Sequence, residues 1–134
     1  MGVAAFVGTL NDIRGTVLLV DDDVDVRKIA AVILAEMGFQ VVQASSAEDA
    51  MEVIRGSTKV DLLMTDLAMP GIGGMELARL AKNARPDLKL LYTSAYVRVA
   101  DGSKALAHGP LIEKPWMQEQ LKEVIEKLIG LGKP

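Results

Sequence analysis

Hydrophobic and polar positions follow two patterns along the chain of 134 residues. Short, nearly continuous apolar runs are typical of β-strands that are covered on both faces. Apolar residues spaced three and four apart indicate helices with one buried face. Apolar runs predict strands over residues 16–20, 40–44, 60–65, 88–94 and 110–113. Helical spacing predicts helices over residues 26–37, 45–56, 73–84 and 117–129, and a short helix, interrupted by Gly102, over 97–109.

Strands that alternate with helices predict βαβ units, and therefore an α/β fold with a parallel sheet and right-handed crossovers. Two helix boundaries support this division of the chain. Ser46 stands three residues before Asp49, a capping-box-like start, and Gly38 ends the preceding helix. Ligands of such sheets bind outside the carboxyl ends of the strands, so the polar residues that follow each strand are the candidate site.

Composition narrows the class of protein. Half of the residues are hydrophobic and a quarter are charged, which is typical of one globular domain. The chain has no cysteine, which excludes disulfides and thiolate metal sites and suits a reducing cytosol. A net charge of −3 provides no electrostatic attraction for nucleic acid, and the apolar stretch VAAFV near the start is too short to span a membrane. We therefore expect a cytoplasmic protein that binds neither nucleic acid nor membrane directly.

The stretch DLLMTDLAMPG, residues 61–71, raises the question of function, because an apolar run ends in Asp66 although burial of a lone charge is costly. Other strands also end in polar residues. In chain order, these residues are Asp21, Asp22, Asp66, Thr93, Ser94 and Lys114. Crowded carboxylates repel one another and favour a divalent cation. Oxygen ligands with open positions suit Mg²⁺, and a carboxylate can act as a nucleophile towards phosphorus.

Each residue also has an ordinary structural explanation. Asp22 or Asp23 could cap the first helix, Lys114 could be a solvated surface charge, and Ser94 alone carries no signal. The combination at one edge of the sheet favours phosphoryl transfer, which needs positioning and charge neutralisation more than covalent help.

The stretches VLLVDDD, LLMTDLAMPG, TSA and EKP together resemble the receiver domain of two-component response regulators. The resemblance covers residues 16–130 and leaves 1–15 as a leader or linker and 131–134 as a tail, with no output domain in this chain. It implies a flavodoxin-like (βα)5 three-layer sandwich with a parallel five-stranded sheet of order 2-1-3-4-5. The wording of TSAY and EKPW resembles receivers attached to hybrid sensor histidine kinases.

The resemblance also implies the roles of the site residues. Asp66 would accept a phosphoryl group from a phosphohistidine of a sensor histidine kinase or phosphotransfer protein. Asp22, Asp66 and the backbone carbonyl of Ala68 would bind Mg²⁺, and Asp21 would act on the metal through water. Ser94 would be the switch hydroxyl, and Lys114 would pair with the phosphoryl charge. The Lys114–Pro115 peptide would be cis.

Two departures from the family pattern concern Leu111 and the pair Ala68 and Tyr96. Leu111 stands where receivers often carry the aromatic residue that moves with the switch hydroxyl, so we expect aromatic-switch signalling to be reduced or absent. Ala68 and Tyr96 flank the phosphorylation pocket, at positions that in the family tune hydrolysis of the aspartyl phosphate. His108, the only histidine, is interpreted as a surface residue, and Trp116 is expected to pack at the start of the last helix.

The predicted function is a bacterial phosphorelay receiver that catalyses only its own phosphorylation and dephosphorylation. It would signal to an unknown downstream protein by contact or phosphate relay, as a monomer or weak homodimer. The alternative is a docking-only or phosphate-sink receiver. A phosphatase would carry a second aspartate where Ala68 stands. A flavodoxin-like nucleotide-binding module would carry a glycine-rich loop where the acidic VDDDVDVR stands.

Overall fold

In a computed structural model of the chain, residues 14–95 and 108–130 are described. The described strands are β1 (Thr16–Val20), β2 (Gln40–Ala44), β3 (Leu62–Asp66), β4 (Lys89–Ser94) and β5 (Leu111–Glu113). The described helices are α1 (Val24–Glu36), α2 (Ala47–Arg55), α3 (Gly74–Ala84) and α4 (Gln118–Ile129). Among these helices, none has the length and apolar character needed to cross a membrane. The predicted leader 1–15 as far as residue 13, the predicted helix 97–109 as far as residue 107, and the tail 131–134 lie outside the described ranges. Residues 108 and 109 are described and are not helical.

The five strands form one parallel sheet in the order β2-β1-β3-β4-β5. This is the flavodoxin-like order that was predicted, and the order reverses at β1 and β3. β1 crosses to β2 on one side and the chain then returns to β3 on the other. The carboxyl ends of β1 and β3 therefore border the crevice in which this class of fold binds ligands.

Helices cover both faces of the sheet and divide the core into two clusters. On one face, α2 and α3 pack against the sheet through residues such as Met51, Ile54 and Leu77. On the other face, α1 and α4 contribute Leu34, Leu121 and Ile125. β3 is buried along its whole length, as a strand covered on both faces must be. This confirms the predicted three-layer arrangement.

Side chains at the predicted positions begin the first two helices. The Asp23 carboxylate accepts hydrogen bonds from the main-chain N–H groups of Asp25 and Val26, and Ser46 accepts one from the N–H of Asp49 at 3.1 Å. Asp23 therefore has the structural role that the sequence allowed for it, and it leaves Asp21 and Asp22 to face the end of the sheet.

β3 begins two residues later than predicted and includes Asp66. The main chain of Asp61 instead joins the start of β1, because its N–H donates to the Thr16 carbonyl at 2.9 Å and its carboxylate accepts the Thr16 N–H at 2.8 Å. Asp66 extends the ladder at the opposite end, where it pairs with Thr93 of β4. The candidate nucleophile is thus held in the sheet itself.

The start of α3 lies unusually close to the end of β3. A Cβ atom added to Gly74 would lie 2.3 Å from the main-chain oxygen of Asp66, whereas one added to Gly73 would lie 3.3 Å from the Leu67 oxygen. Gly74 also donates its N–H to the Leu67 carbonyl at 2.9 Å. Only glycine allows the helix to begin this close to Asp66.

We expect Gly74→Ala to lower the free energy of unfolding by about 2–3 kcal/mol, because the added methyl group must displace α3 from Asp66. Gly73→Ala is the matched control and should cost at most about 1 kcal/mol, since alanine is only a poorer N-cap than glycine there. Urea denaturation followed by circular dichroism measures both values. Equal losses for the two variants would contradict the close-packing explanation.

Candidate functional site

The carboxyl ends of β1, β3, β4 and β5 bring the predicted polar residues to one edge of the sheet. Asp21 follows β1, while Asp66 and Ser94 are the last residues of β3 and β4. Lys114 follows β5, and its main-chain N–H donates to the Ser94 carbonyl at 2.8 Å. Residues far apart in the chain therefore meet because the strands are parallel and in register.

Three carboxylates converge at the centre of this edge. Asp21, Asp22 and Asp66 each offer a carboxylate oxygen, and these oxygens lie within 4.8 Å of one another. Asp21 is 4 % exposed, whereas Asp22 is open to solvent. Negative groups at this spacing repel one another, so they fit a divalent cation that accepts hard oxygen ligands. The donor set suits Mg²⁺, which also keeps water ligands.

Lys114 supplies a positive charge to the same cluster. Its Nζ atom lies 2.9 Å from Asp21 Oδ2 and 3.6 Å from Asp66 Oδ1. The lysine side chain is only 16 % exposed, so this contact is shielded from water more than an ordinary surface ion pair. One ammonium faces three carboxylates, which leaves the cluster with excess negative charge.

Asp66 shows the cost of this crowding. Burial raises the pKa of its carboxyl group above the ordinary value, Lys114 lowers it, and the Asp21 charge raises it again. A hydrogen bond from the main-chain N–H of Ala68 lowers the pKa of Asp66, and the Asp22 charge raises it. The net shift of the pKa is upward, so the charge of Asp66 is less favourable here than that of an ordinary solvated carboxyl group.

Asp21 and Asp22 differ in how firmly they are held. Asp21 Oδ1 accepts the N–H of Asp23 at 2.9 Å, Oδ2 is bound by Lys114, and the Asp21 N–H donates to the Ala44 carbonyl at 3.2 Å. Within the described residues, the Asp22 carboxylate makes no hydrogen bond or ion pair. Asp22 is therefore the carboxylate most available for direct coordination, while Asp21 is already engaged by protein donors.

The remaining predicted site residues lie around Asp66. Ser94 is buried, with 5 % of its surface exposed. Thr93, the second candidate hydroxyl, accepts the Leu67 N–H on its main-chain oxygen at 2.8 Å. Ala68 is exposed beside the site, and its main-chain N–H donates a hydrogen bond to Asp66; its carbonyl stays the predicted metal ligand. The Lys114–Pro115 peptide is cis, as the resemblance implies.

The position of the usual switch aromatic is occupied by a residue of the core. Leu111 pairs with Tyr92 of β4 and packs against the cluster formed by α2 and α3. Tyr92 is fully buried, which raises the pKa of its phenol. Tyr96, which was predicted to flank the pocket, lies outside the described residues.

An apolar groove adjoins the acidic edge. It has a volume of about 510 Å³ and is lined by Val26, Ile29, Ile33, Ala95, Lys114, Pro115 and Trp116. Ile29 is 61 % exposed, and among the described residues the buried indole Nε1 of Trp116 has no hydrogen-bond partner. Trp116 packs just before α4, as predicted, and His108 is exposed, as predicted. Exposed apolar side chains on a helix are typical of a surface that contacts another protein.

One residue of the site was not predicted from the sequence: the arginine that holds the acidic turn, which is the turn after β1 that carries Asp21 and Asp22. Arg27 of α1 donates from Nη1 to the main-chain oxygen of Asp21 at 2.8 Å and from Nε to Gln43 Oε1 at 3.1 Å. The available signal was the position of Arg27, one helical turn after the N-cap Asp23. Helical spacing alone does not reveal that the side chain turns back towards the strand end.

The fold and the acidic edge define a class of protein: an α/β domain with a carboxylate cluster and a buried lysine at the crevice of a flavodoxin-like sheet. The sequence model of the response regulator receiver domain matches residues 17–126. The chain therefore belongs to the receiver domain family of two-component signalling proteins, which confirms the resemblance seen in the sequence.

Individual relatives agree with this assignment. The chain is 32 % identical to the response regulator receiver protein CpdR of Brucella abortus, over 84 % of this chain and 95 % of that protein. It is 33 % identical to the sensor kinase CckA of the same species, over 84 % of this chain but only 13 % of the kinase. The crystal structure of a response regulator receiver protein from Sinorhizobium medicae superposes with a TM-score of 0.78 at 25 % identity, over 92 % of this chain and 98 % of that one.

The raised pKa of Asp66 predicts how stability depends on pH. A carboxyl group whose pKa is higher in the folded state loses stability as pH rises from the unfolded pKa, about 4, through the folded pKa, and the full cost remains above it. Asp66→Asn removes that cost, so at pH 7 without divalent metal it should raise the free energy of unfolding by on the order of 1 kcal/mol.

Urea denaturation at several pH values checks this expectation. The advantage of Asp66→Asn should shrink as pH falls through the folded pKa and vanish below about pH 4. Asp61→Asn is the control, because Asp61 stabilises the fold through Thr16 and should only lose stability on neutralisation. A less stable Asp66→Asn protein at pH 7 would show that the aspartate charge is well accommodated.

Proposed function

We propose that Asp66 is the phosphoacceptor of this receiver domain and takes a phosphoryl group from a phosphohistidine of a sensor histidine kinase or phosphotransfer protein. Receivers pair with sensor histidine kinases, and phosphoryl acceptance is the general function of the family. The observation that carries the assignment is the position of Asp66 at the end of β3, with Lys114 Nζ 3.6 Å away and two further carboxylates in reach.

The reaction is a displacement at phosphorus. A carboxylate oxygen of Asp66 forms the new O–P bond while the N–P bond of the phosphohistidine breaks, and the imidazole nitrogen keeps the electron pair. Such a transition state needs alignment and charge neutralisation. Lys114 neutralises charge on the transferred group, and the buried hydroxyl of Ser94 donates to one of its oxygens. Both groups are anchored, since the main chain of Lys114 is bonded to that of Ser94.

Receiver domains bind Mg²⁺ through acidic residues. In this chain, Asp22, Asp66 and the backbone carbonyl of Ala68 would hold the ion, and Asp21 would act through water. When bound, the ion supplies positive charge that draws phosphoryl oxygens to the acidic edge. The excess negative charge of three carboxylates against one ammonium supports this ligand set.

The domain modifies only itself, and receiver domains are generally signalling modules without a separate substrate. We assign residues 16–130 to the receiver, 1–15 to a leader or linker and 131–134 to a tail. The downstream step is a protein contact or a phosphate relay in the cytoplasm, from a monomer or weak homodimer, without direct binding of nucleic acid or membrane. Leu111 in place of an aromatic residue supports an output that does not use the aromatic switch.

The groove beside Lys114 is the proposed contact for the phosphodonor protein. The donor histidine must reach Asp66, and the groove begins at Lys114, which itself contacts Asp66. Ile29 and Ile33 of α1 would receive apolar side chains of the donor, as exposed apolar patches do in protein interfaces.

Incubation with acetyl phosphate and Mg²⁺ should add one phosphoryl group to the wild-type protein, detected by intact mass. Asp66→Asn should show no adduct, because the amide is not a nucleophile for this reaction. Asp61→Asn, a neutralised aspartate beyond the other end of β3, should be phosphorylated like the wild type. Chelation of Mg²⁺ should abolish the adduct in both.

Two further probes separate the other outcomes. If acetyl phosphate and phosphoramidate leave no adduct but a beryllofluoride complex binds tightly, the aspartyl phosphate forms and hydrolyses rapidly. Failure of all three probes would contradict the proposal and favour a docking-only receiver. An adduct that persists in Asp66→Asn would assign the phosphoacceptor to another residue.

Ile29→Asp should slow phosphorylation by a histidine-phosphorylated donor protein at least tenfold while leaving the reaction with acetyl phosphate unchanged. Met75→Asp is the matched control, since Met75 is 51 % exposed on α3, on the opposite face of the sheet. The two rates are measured with the same preparation by gel mobility of the phosphorylated form. Equal slowing by both substitutions, or none by Ile29→Asp, would place the donor contact elsewhere.

A further inference from the structure

Arg27 is attached to the acidic turn without contacting its carboxylates. Its Nη1 donates to the main-chain oxygen of Asp21 at 2.8 Å, and its Nε donates to Gln43 Oε1 of β2 at 3.1 Å. Arg27 is half-buried, and its own N–H donates to the Asp23 carbonyl at 2.9 Å. The guanidinium thus ties three parts of the fold together: α1, β2 and the turn after β1.

These bonds complete the restraint of Asp21. Its N–H is bonded to Ala44, one carboxylate oxygen to the N–H of Asp23, the other to Lys114, and its carbonyl to Arg27. All polar groups of Asp21 are thus bound, which restrains the peptide that joins Asp21 to Asp22. By contrast, the Asp22 side chain makes no hydrogen bond within the described ranges, so the position of its carboxylate depends on the backbone of this turn and on its own rotamer.

The hydrogen bonds of Arg27 go to two uncharged groups, the main-chain oxygen of Asp21 and the side-chain amide of Gln43. The planar guanidinium provides two donors in a fixed geometry, which suits a side chain that must hold a carbonyl and an amide at once. Its contribution is therefore geometric.

We propose that Arg27, braced by Gln43, is a positioning residue that fixes the turn of Asp21 and Asp22 and thereby sets the affinity of the site for divalent cations. The inference rests on the proposed function, because it assumes that these carboxylates bind Mg²⁺. Residues that orient metal ligands from outside typically change metal affinity tenfold or more when they are replaced.

The direction of the effect separates this role from simple electrostatics. Removing a positive charge beside an acidic site should tighten the binding of a cation by Coulomb attraction. Loss of the two hydrogen bonds of Arg27 should instead weaken cation binding, because the turn of Asp21 and Asp22 would no longer be held in place. Arg27→Met is therefore expected to raise the Kd for Mg²⁺ about tenfold. Lys28→Met, which removes the neighbouring exposed cation of α1, should leave the Kd unchanged or lower it slightly.

Two milder variants test the two bonds separately. Arg27→Lys keeps the charge but cannot serve both acceptors, so it should raise the Kd by an intermediate amount. Gln43→Met removes only the brace and should raise it by a smaller amount, about two- to threefold. Isothermal titration with Mg²⁺ measures each Kd, and urea denaturation verifies that each variant is folded.

The rate of phosphorylation by acetyl phosphate provides the independent check. With Arg27→Met the rate should fall at low Mg²⁺ and recover at saturating Mg²⁺, whereas a globally damaged fold would stay slow at both. A folded Arg27→Met protein, or a folded Arg27→Lys protein, that binds Mg²⁺ as tightly as the wild type would overturn the inference. If the wild type itself bound no Mg²⁺, the proposed function would fail instead.

Discussion

The central physical constraint on this fold is the mutual repulsion of three carboxylates at one edge of the sheet. Carboxylate oxygens of Asp21, Asp22 and Asp66 lie within 4.8 Å of one another, and within the described ranges only the ammonium of Lys114 pairs with them, with two of the three. Burial and two neighbouring charges raise the pKa of Asp66, and the ionised site is therefore a cost to the fold until positive charge arrives. A cation bound among these carboxylates would relieve that cost.

The rest of the fold holds these groups against their repulsion. Asp66 is fixed by the ladder between β3 and β4, and Gly74 lets α3 begin directly against its carbonyl oxygen. Asp21 is fixed by Ala44, Asp23, Lys114 and Arg27. The two apolar clusters bury the helices on both faces and so keep the strand ends in register. Stability elsewhere in the molecule thus offsets a locally unfavourable arrangement, as is common at functional sites.

Two aspartates at opposite ends of β3 lie in different electrostatic environments. Asp61 precedes β3 and satisfies the Thr16 N–H, so its charge has a donor and supports the fold. Asp66 ends the same strand. The Ala68 N–H and Lys114 stabilise its charge, whereas burial and the carboxylates of Asp21 and Asp22 destabilise it. The two aspartates thus carry their charges in opposite environments, one supported by a main-chain donor and one crowded by like charges.

The order of strands and helices along the chain could be predicted from the sequence, because a buried parallel strand is an apolar run and an amphipathic helix has a 3.6-residue period. Strands β1 and β2 have their predicted bounds, and the strand order followed from the family resemblance. The meeting of Asp66 and Lys114 could also be predicted, since parallel strands end at one edge. Three contacts could not be predicted and are seen only in the folded chain. They are the carboxylate oxygen that Lys114 approaches most closely, the hydrogen bond from the Ala68 N–H to Asp66, and the hydrogen bond from the Arg27 side chain to the Asp21 carbonyl. These contacts depend on side-chain directions and distances of a few ångströms, which hydrophobic periodicity does not encode.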